Sequence, residues 1–368
     1  MKRLRILVVD DSALVRKTIR ELLATDERFE VVGEAGNGCE ALQMVERLRP
    51  DVVTLDLDMP VMDGLAALPR LIRDFRQRVL VLSTLTTANS YPTFKALALG
   101  AVDFITKPAT GAYLRNLAEL GAELRRKLKV AASVEPQRIG RWVSRADQAP
   151  PKEEVHVAPS PQDSPVRRPE RVLGIGGSTG GTAALERILV ELPPTLSVSV
   201  VVVQHLPTGF SRPFASYLAT ICPLAAKEAE DGEQLAAGSV YLAPGGGHLR
   251  VQEAKGELRL RVDPCGQRMH GFRPAIDALF YSIALALRRR AVAVLLSGMG
   301  GDGCYGLAAV RSLGGRTLVQ DPESCVVPEM PTRATALGAA ERSIPLDGLA
   351  AVLGSVLQPG GKTWIQAN

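Results

Sequence analysis

Residues 4–24, LRILVVDDSALVRKTIRELLA, read as a strand, an acidic turn and a helix in direct succession. Leu4–Val9 is a short run dominated by Leu, Ile and Val, which suits a strand covered on both faces. Asp10-Asp11-Ser12 interrupts it with turn formers, and from Ala13 the apolar residues return at helical spacing. The same unit recurs downstream. Strand-like segments at Phe29–Glu34, Asp51–Leu55, Val79–Leu82 and Val102–Ile105 alternate with helical patterns at 13–24, 38–48, 64–74, 91–99 and 111–129. Five βα repeats joined by short loops predict a parallel sheet with helices on both faces.

Beyond about residue 129 the pattern stops. APPKEEVHVAPSPQDSPVRRPE (149–170) is rich in Pro, Ser and charge and has no sustained apolar period, so 126–170 is expected to be a linker. A second α/β pattern follows. Strands are expected at Val172–Gly176, Val198–Gln204, Ser239–Ala243, Leu258–Val262, Ala291–Leu296 and Arg316–Gln320. Helices are expected at 181–191, 210–220, 274–288, 303–313 and 346–356. The chain therefore divides into 1–125, a linker at 126–170, and 171–360, with no internal repeat.

Composition agrees. The 368 residues exceed one core, at roughly 150 residues per domain. With only 4% aromatic residues, the cores must be built from Val, Leu, Ala and Ile. The apolar runs are strand-length, so no membrane insertion is expected. MKRLRILVVDD lacks a small-residue cleavage site, and no signal peptide is read. Five scattered cysteines without a CxxC suit a reducing cytoplasm rather than a zinc knuckle. A net charge of +5 is mild and is no nucleic-acid signature.

In a parallel sheet, the groups that follow the carboxyl ends of strands gather on one edge. Here those groups are Asp10-Asp11, Asp56-Leu57-Asp58, Ser83-Thr84 and Lys107. Crowded carboxylates favour a hard cation with oxygen ligands, for which Mg²⁺ is suited. A carboxylate beside the metal can accept a phosphoryl group, and an ammonium and a hydroxyl can hold the new oxygens. Any one of these Asp residues alone reads better as a helix cap; the whole set at successive strand ends does not. Residues 1–125 resemble a response-regulator receiver domain, of flavodoxin-like (βα)5 fold. The resemblance implies that Asp56 is the phospho-acceptor and that Asp10, Asp11, Asp56 and the carbonyl of Asp58 hold Mg²⁺. It further implies that Lys107 and Ser83 bind phosphate, while Phe104 takes the switch-aromatic position without a hydroxyl.

VLGIGGSTGG (172–181) is a strand, a glycine turn and a helix start. A dinucleotide GxGxxG starting at Gly174 would need glycine where Thr179 stands, and a P-loop would need lysine where Thr182 stands. GxSxG fits at Gly176–Gly180, placing Ser178 on a sharp turn among backbone N–H groups, though a turn that merely packs helix on strand fits as well. His205 closes Val198–Gln204 and stands on the same sheet edge. His156 lies in the linker, and His248 and His270 lie in loops. Asp302, in SGMGGDG (297–303), is the better placed acid; Asp277 and Asp321 are less so.

The order Ser178, His205, Asp302 differs from that of α/β hydrolases. Residues 171–357 resemble the catalytic domain of the chemotaxis protein-glutamate methylesterases (the CheB family). The resemblance rests on GGSTGG, QHLPTGF (204–210), YLAPG (241–245), SGMGGDG and ESCVV (323–327). Receiver, linker and this domain in this order match the whole enzyme. Two positions depart from the family pattern: Gly301, where Asn is common, and Phe272, where His is usual. The resemblance implies a Rossmann-like doubly wound sheet, with Ser178 as nucleophile, His205 as base, Asp302 as its orienter, and N–H groups of Thr179 and Met299 as oxyanion hole. It implies a phosphorylation-activated esterase and deamidase, with methyl-accepting chemoreceptors as substrate, a chemotaxis histidine kinase as phosphodonor and no cofactor in the esterase domain. The rivals are a DNA-binding regulator, suggested by Arg288–Arg290 and the basic run Arg125–Lys129, and a non-catalytic adaptor.

Overall fold

The structure is a computed structural model and describes residues 3–83, 90–107, 117–138 and 167–358. The chain forms two compact units, Met1–Pro151 and Lys152–Asn368. The first contains β1 (Leu4–Val9), α1 (Ala13–Ala24), β2 (Phe29–Ala35), α2 (Gly38–Leu48) and β3 (Val52–Asp56). It continues through α3 (Gly64–Arg73), β4 (Val79–Ser83), α4 (Ser90–Ala98), β5 (Asp103–Thr106) and α5 (Leu117–Ser133). The five strands form one parallel sheet in the order β2-β1-β3-β4-β5. Every residue of β3 and β4 is buried, which is why both read as nearly unbroken apolar runs. Polar caps start the helices: Ser12, Asn37 and Asp63 accept from the N–H groups of Val15, Glu40 and Ala66. The chain reverses its direction of travel across the sheet between β1 and β3, so the loops after these strands open into a crevice.

The expected domain boundary at 125 falls too early. Helix α5 continues to Ser133 because Leu128, Val130 and Ala131 are still needed to cover the sheet. Lys127, part of the basic run Arg125–Lys129, is 6% exposed and ion-paired with Asp103 at 3.0 Å. The linker expectation falls largely on 139–166, outside the described residues. Its last residues already belong to the second unit, where the carbonyl of Arg167 accepts from Ala237 N–H at 2.9 Å and Glu170 N–H donates to Ser197 at 2.9 Å.

The second unit runs through β6 (Arg171–Gly177), α6 (Gly181–Glu191), β7 (Val198–Gln204), α7 (Ser211–Ile221), β8 (Ala225–Glu228) and β9 (Ser239–Leu242). A hairpin of β10 (His248–Ala254) and β11 (Glu257–Asp263) follows, then α8 (Ile276–Leu287), β12 (Ala291–Leu295) and α9 (Cys304–Ser312). The unit ends with β13 (Arg316–Gln320), α10 (Glu329–Ala336), β14 (Arg342–Ile344) and α11 (Leu346–Leu357). Seven strands form a parallel sheet in the order β14-β13-β12-β6-β7-β9-β8. Its first strand, β6, is central, and later strands are added to either side, so β12-β6-β7 bracket the switch point of a doubly wound sheet. Helix α8 seals one face, with Phe280 and Ile283 packed in the same buried cluster as Val172, Val201 and Leu295. Leu258–Val262, expected among the parallel strands, instead pairs antiparallel with β10. Apolar alternation marks it as a strand without naming its partner.

Candidate functional site

Three adjacent strands of the second sheet each end in one of the expected residues. Ser178 follows β6, His205 follows β7, and Asp302 lies in the loop after β12. The turn after β6 is held by buried polar bonds. Ser178 N–H donates to Ser297 O at 3.0 Å, and Gln204 Nε2 donates to Ser178 O at 2.7 Å. Ser297 Oγ donates to Thr179 O at 2.8 Å, and its own N–H is held by Gln320 Oε1 at 2.9 Å. Gly180 adopts φ 77° to cap α6, and a Cβ there would meet Val326 at 2.5 Å. Gly298 is required for a different reason: a Cβ would come within 2.7 Å of Ser178 Cβ. Gln204, Ser297 and Gln320 were not among the expected site residues. For Gln204 and Gln320 the signal is a polar residue closing an otherwise apolar, buried strand.

His205 Nε2 lies 2.9 Å from Asp302 Oδ2. The imidazole is 6% exposed and Asp302 fully buried. The acid does not cap the helix that follows it, since Gly303 takes that position in α9. It receives instead the first N–H groups of α8, from Ile276 at 2.8 Å and Asp277 at 3.0 Å. Burial alone would raise its pKa, but the bond and charge of His205 and these two amides outweigh that penalty and hold the carboxyl below its ordinary range. With Nε2–H committed to a carboxylate, Nδ1 carries the lone pair. Nδ1 is buried and makes no hydrogen bond among the described residues, so Ser178 Oγ is not bonded to it here.

Met299 is 41% exposed at the lip of the site, while Thr179 is buried. The N–H groups of Ser178, Gly181 and Gly298 are consumed by Ser297, Ser178 and Val327, so none of these three can serve an incoming oxyanion. Among the other histidines, His156 lies outside the described residues. His248 is structural, its Nε2 bonded to Gln267 O at 2.7 Å and its Nδ1 accepting from Ala275 at 3.2 Å. His270 pairs with Asp277 at 2.8 Å, and burial, partly offset by the amide of Gly306, raises the pKa of that acid.

In the first unit, Asp10, Asp11 and Asp56 place carboxylate oxygens within 4.8 Å of one another. Asp10 and Asp56 are buried; Asp11 and Asp58 are exposed. Lys107 bridges the buried pair at 2.7 and 2.8 Å. Burial works against its charge, but the bonds to both acids more than compensate and raise its pKa. Burial also raises Asp56, against the pull of Lys107. The oxygen-only donor set, only partly offset by one cation, fits a hard divalent ion such as Mg²⁺. Arg16 of α1 clamps the acidic turn, donating to the carbonyls of Asp10 at 2.7 Å and Asp11 at 3.0 Å. Ser83 Oγ meets Thr93 Oγ1 of α4 at 2.7 Å, and the ring of Phe104 is buried edge-on against Phe94. Thr84 lies outside the described residues.

The receiver-domain profile of response regulators matches residues 6–119, and that of CheB methylesterase matches 173–353. A protein-glutamate methylesterase/protein-glutamine glutaminase of Geobacillus kaustophilus is 41% identical over 96% of this chain and 98% of its own. The chain belongs to this family. It is a CheB-type protein-glutamate methylesterase/protein-glutamine glutaminase with an N-terminal receiver, an enzyme of chemotactic adaptation. A second Pseudomonas aeruginosa member of the same name is 41% identical over 95% of both chains. The solved CheB catalytic domain of Thermotoga maritima is 36% identical, covering 50% of this chain and 96% of that one with a TM-score of 0.49. No described helix is long and apolar enough to cross a membrane.

Proposed function

We propose that Ser178 is the nucleophile of this methylesterase, His205 its general base and Asp302 the orienting acid, acting on glutamyl methyl esters of chemoreceptors. The observation that carries this reading is the buried His205–Asp302 pair at 2.9 Å, placed on the strand next to the serine turn. Ser178 Oγ attacks the ester carbonyl while His205 Nδ1 takes its proton, and Asp302 stabilises the imidazolium. The bond to Nδ1 tightens only when substrate is seated. N–H groups of Thr179 and Met299 receive the oxyanion. The C–O bond to methoxide breaks, His205 returns the proton and methanol leaves. Water then repeats the sequence on the acyl-enzyme and restores glutamate. On glutamine the leaving group is ammonia.

In the receiver, Asp56 accepts phosphate from a chemotaxis histidine kinase. Asp10, Asp11, Asp56 and the Asp58 carbonyl would hold Mg²⁺, which supplies charge neutralisation for phosphoryl transfer. Lys107 and Ser83 bind the phosphoryl oxygens. A cytoplasmic location fits a kinase partner and five free cysteines.

Methanol release from methylated receptor tests the assignment. Ser178→Ala should fold normally and lose activity by up to about 10⁶-fold, the loss typical of removing such a serine. It should also ignore a fluorophosphonate that labels the unaltered chain. Retention of most activity would exclude covalent catalysis by this residue and favour an adaptor role.

A further inference from the structure

The open face of the catalytic imidazole is covered by an aromatic ring. His205 and Phe272 stack with centroids 3.8 Å apart and planes within 8° of parallel. Phe272 comes from a tight reversal in which Met269 and Phe272 exchange backbone bonds of 3.1 and 2.8 Å. The two residues between them, His270 at φ 51° and Gly271 at φ 83°, are both left-handed, as the tightest hairpin turns require. The turn is also anchored from outside. His270 Nε2 bonds Asp277 Oδ2 at 2.8 Å, and Asp277 N–H donates to Asp302 Oδ1 at 3.0 Å. The segment that presents Phe272 is therefore tied to the same carboxylate that orients His205.

We propose that Phe272 is a positioning residue for the esterase reaction: its ring fixes the plane of His205 and stabilises the imidazolium formed when Ser178 gives up its proton. The proposal rests on His205 being the general base. Two neutral rings prefer offset or edge-on packing, whereas a cation gains from lying over an aromatic face. A near-parallel stack at this distance thus does most for the protonated imidazole, the form present after attack. It also restricts rotation of the imidazole out of the plane in which Nε2 meets Asp302. Among the described residues, the ionisable groups around His205 include Asp302 and, further out, Asp277, His270, Cys304, Tyr305 and Arg333.

The test measures methanol release by the full chain, with phosphodonor, across the pH range. Phe272→Leu keeps an apolar side chain without a π-face. Its kcat should fall about five- to tenfold, the worth of a partly desolvated cation–π contact, with little change in KM. The acid limb of its rate profile should move about half a pH unit or more lower, because the imidazolium has lost a stabilising neighbour. Phe272→Tyr, which restores the face, should recover both properties. An unaltered kcat and pH profile in the Leu variant would overturn the proposal. So would a loss of activity with the acid limb unmoved, which is what altered pocket shape alone produces. His205→Ala separates the two readings: if it keeps activity, the base assignment fails. If it is inactive while Phe272→Leu behaves as the unaltered chain, only the role of Phe272 fails.

Discussion

Asp302 is a fully buried carboxylate that stays charged because three donors face it: one ring N–H and the first two amides of α8. Its depressed pKa means that it remains ionised through the working range. Asp302→Asn separates its charge from its shape. The single Asn oxygen can keep the Asp277 amide at the Oδ1 position, which turns its NH2 toward both Nε2 and the Ile276 N–H. The imidazole must answer by moving its proton to Nδ1, where it no longer serves as a base. The expected result is a folded enzyme slower by about 10³–10⁴-fold in methanol release, the order seen for such substitutions in serine hydrolases. A loss of less than tenfold would mean that Asp302 only anchors α8.

Helices α6 and α7 are joined by a bond that responds to pH. Tyr217 Oη donates to Glu186 Oε2 at 2.9 Å, and burial lifts the Glu186 carboxyl to about 7 despite that bond. An acid whose pKa is raised on folding holds an extra proton in the native state between its ordinary value and about 7. Its contribution to stability is therefore complete below about pH 4.5 and is lost as pH rises through 7. The loss is on the order of 3 kcal/mol. Urea unfolding of the second unit should accordingly become easier between about pH 4.5 and about 7, and Glu186→Gln should flatten that slope. An identical slope in the Gln variant would assign the pH dependence to other groups. Nothing in the sequence marks Glu186, because its burial depends on a helix thirty residues away in the chain. The long elements were legible for the opposite reason: the apolar pattern of α1, α2, β7 and β13 is local, and their ends carry caps or turn residues. Short elements with little local pattern were not. Strand β8 is half-buried throughout, β14 has three residues, and α10 carries Pro331 and polar neighbours. The placement of Ser178, His205 and Asp302 was legible because strand-end residues share one edge. Ser297, Gln320 and the Phe272 stack depend on tertiary approach and left only faint traces.

Each unit has its own sheet, its own core and its own strand-end chemistry, so the enzyme's control is a coupling between two complete folds. The Asp10–Asp56–Lys107 cluster can be changed without touching Ser178, His205 or Asp302. A phosphoryl group on Asp56 adds about two negative charges beside Asp10, Lys107 and Ser83. Ser83 shares its hydroxyl contact with Thr93 of α4, so a pull on Ser83 reaches a helix as well as a loop. Such a signal shifts activity only as far as phosphate favours one state of the chain over the other, typically about 5- to 150-fold. A receiver that restrains the esterase predicts three linked results in methanol-release assays. A phosphodonor should stimulate the full chain within that range, and Asp56→Asn should take up no phosphate and stay at the basal rate. The second unit expressed from residue 167 should exceed the unphosphorylated full chain and ignore the phosphodonor. Its first residues already hold backbone bonds to Ala237 and Ser197, so the cut leaves that edge closed. If the isolated unit is no faster than the unphosphorylated full chain, restraint is excluded, and phosphorylation must act by bringing the enzyme to its substrate.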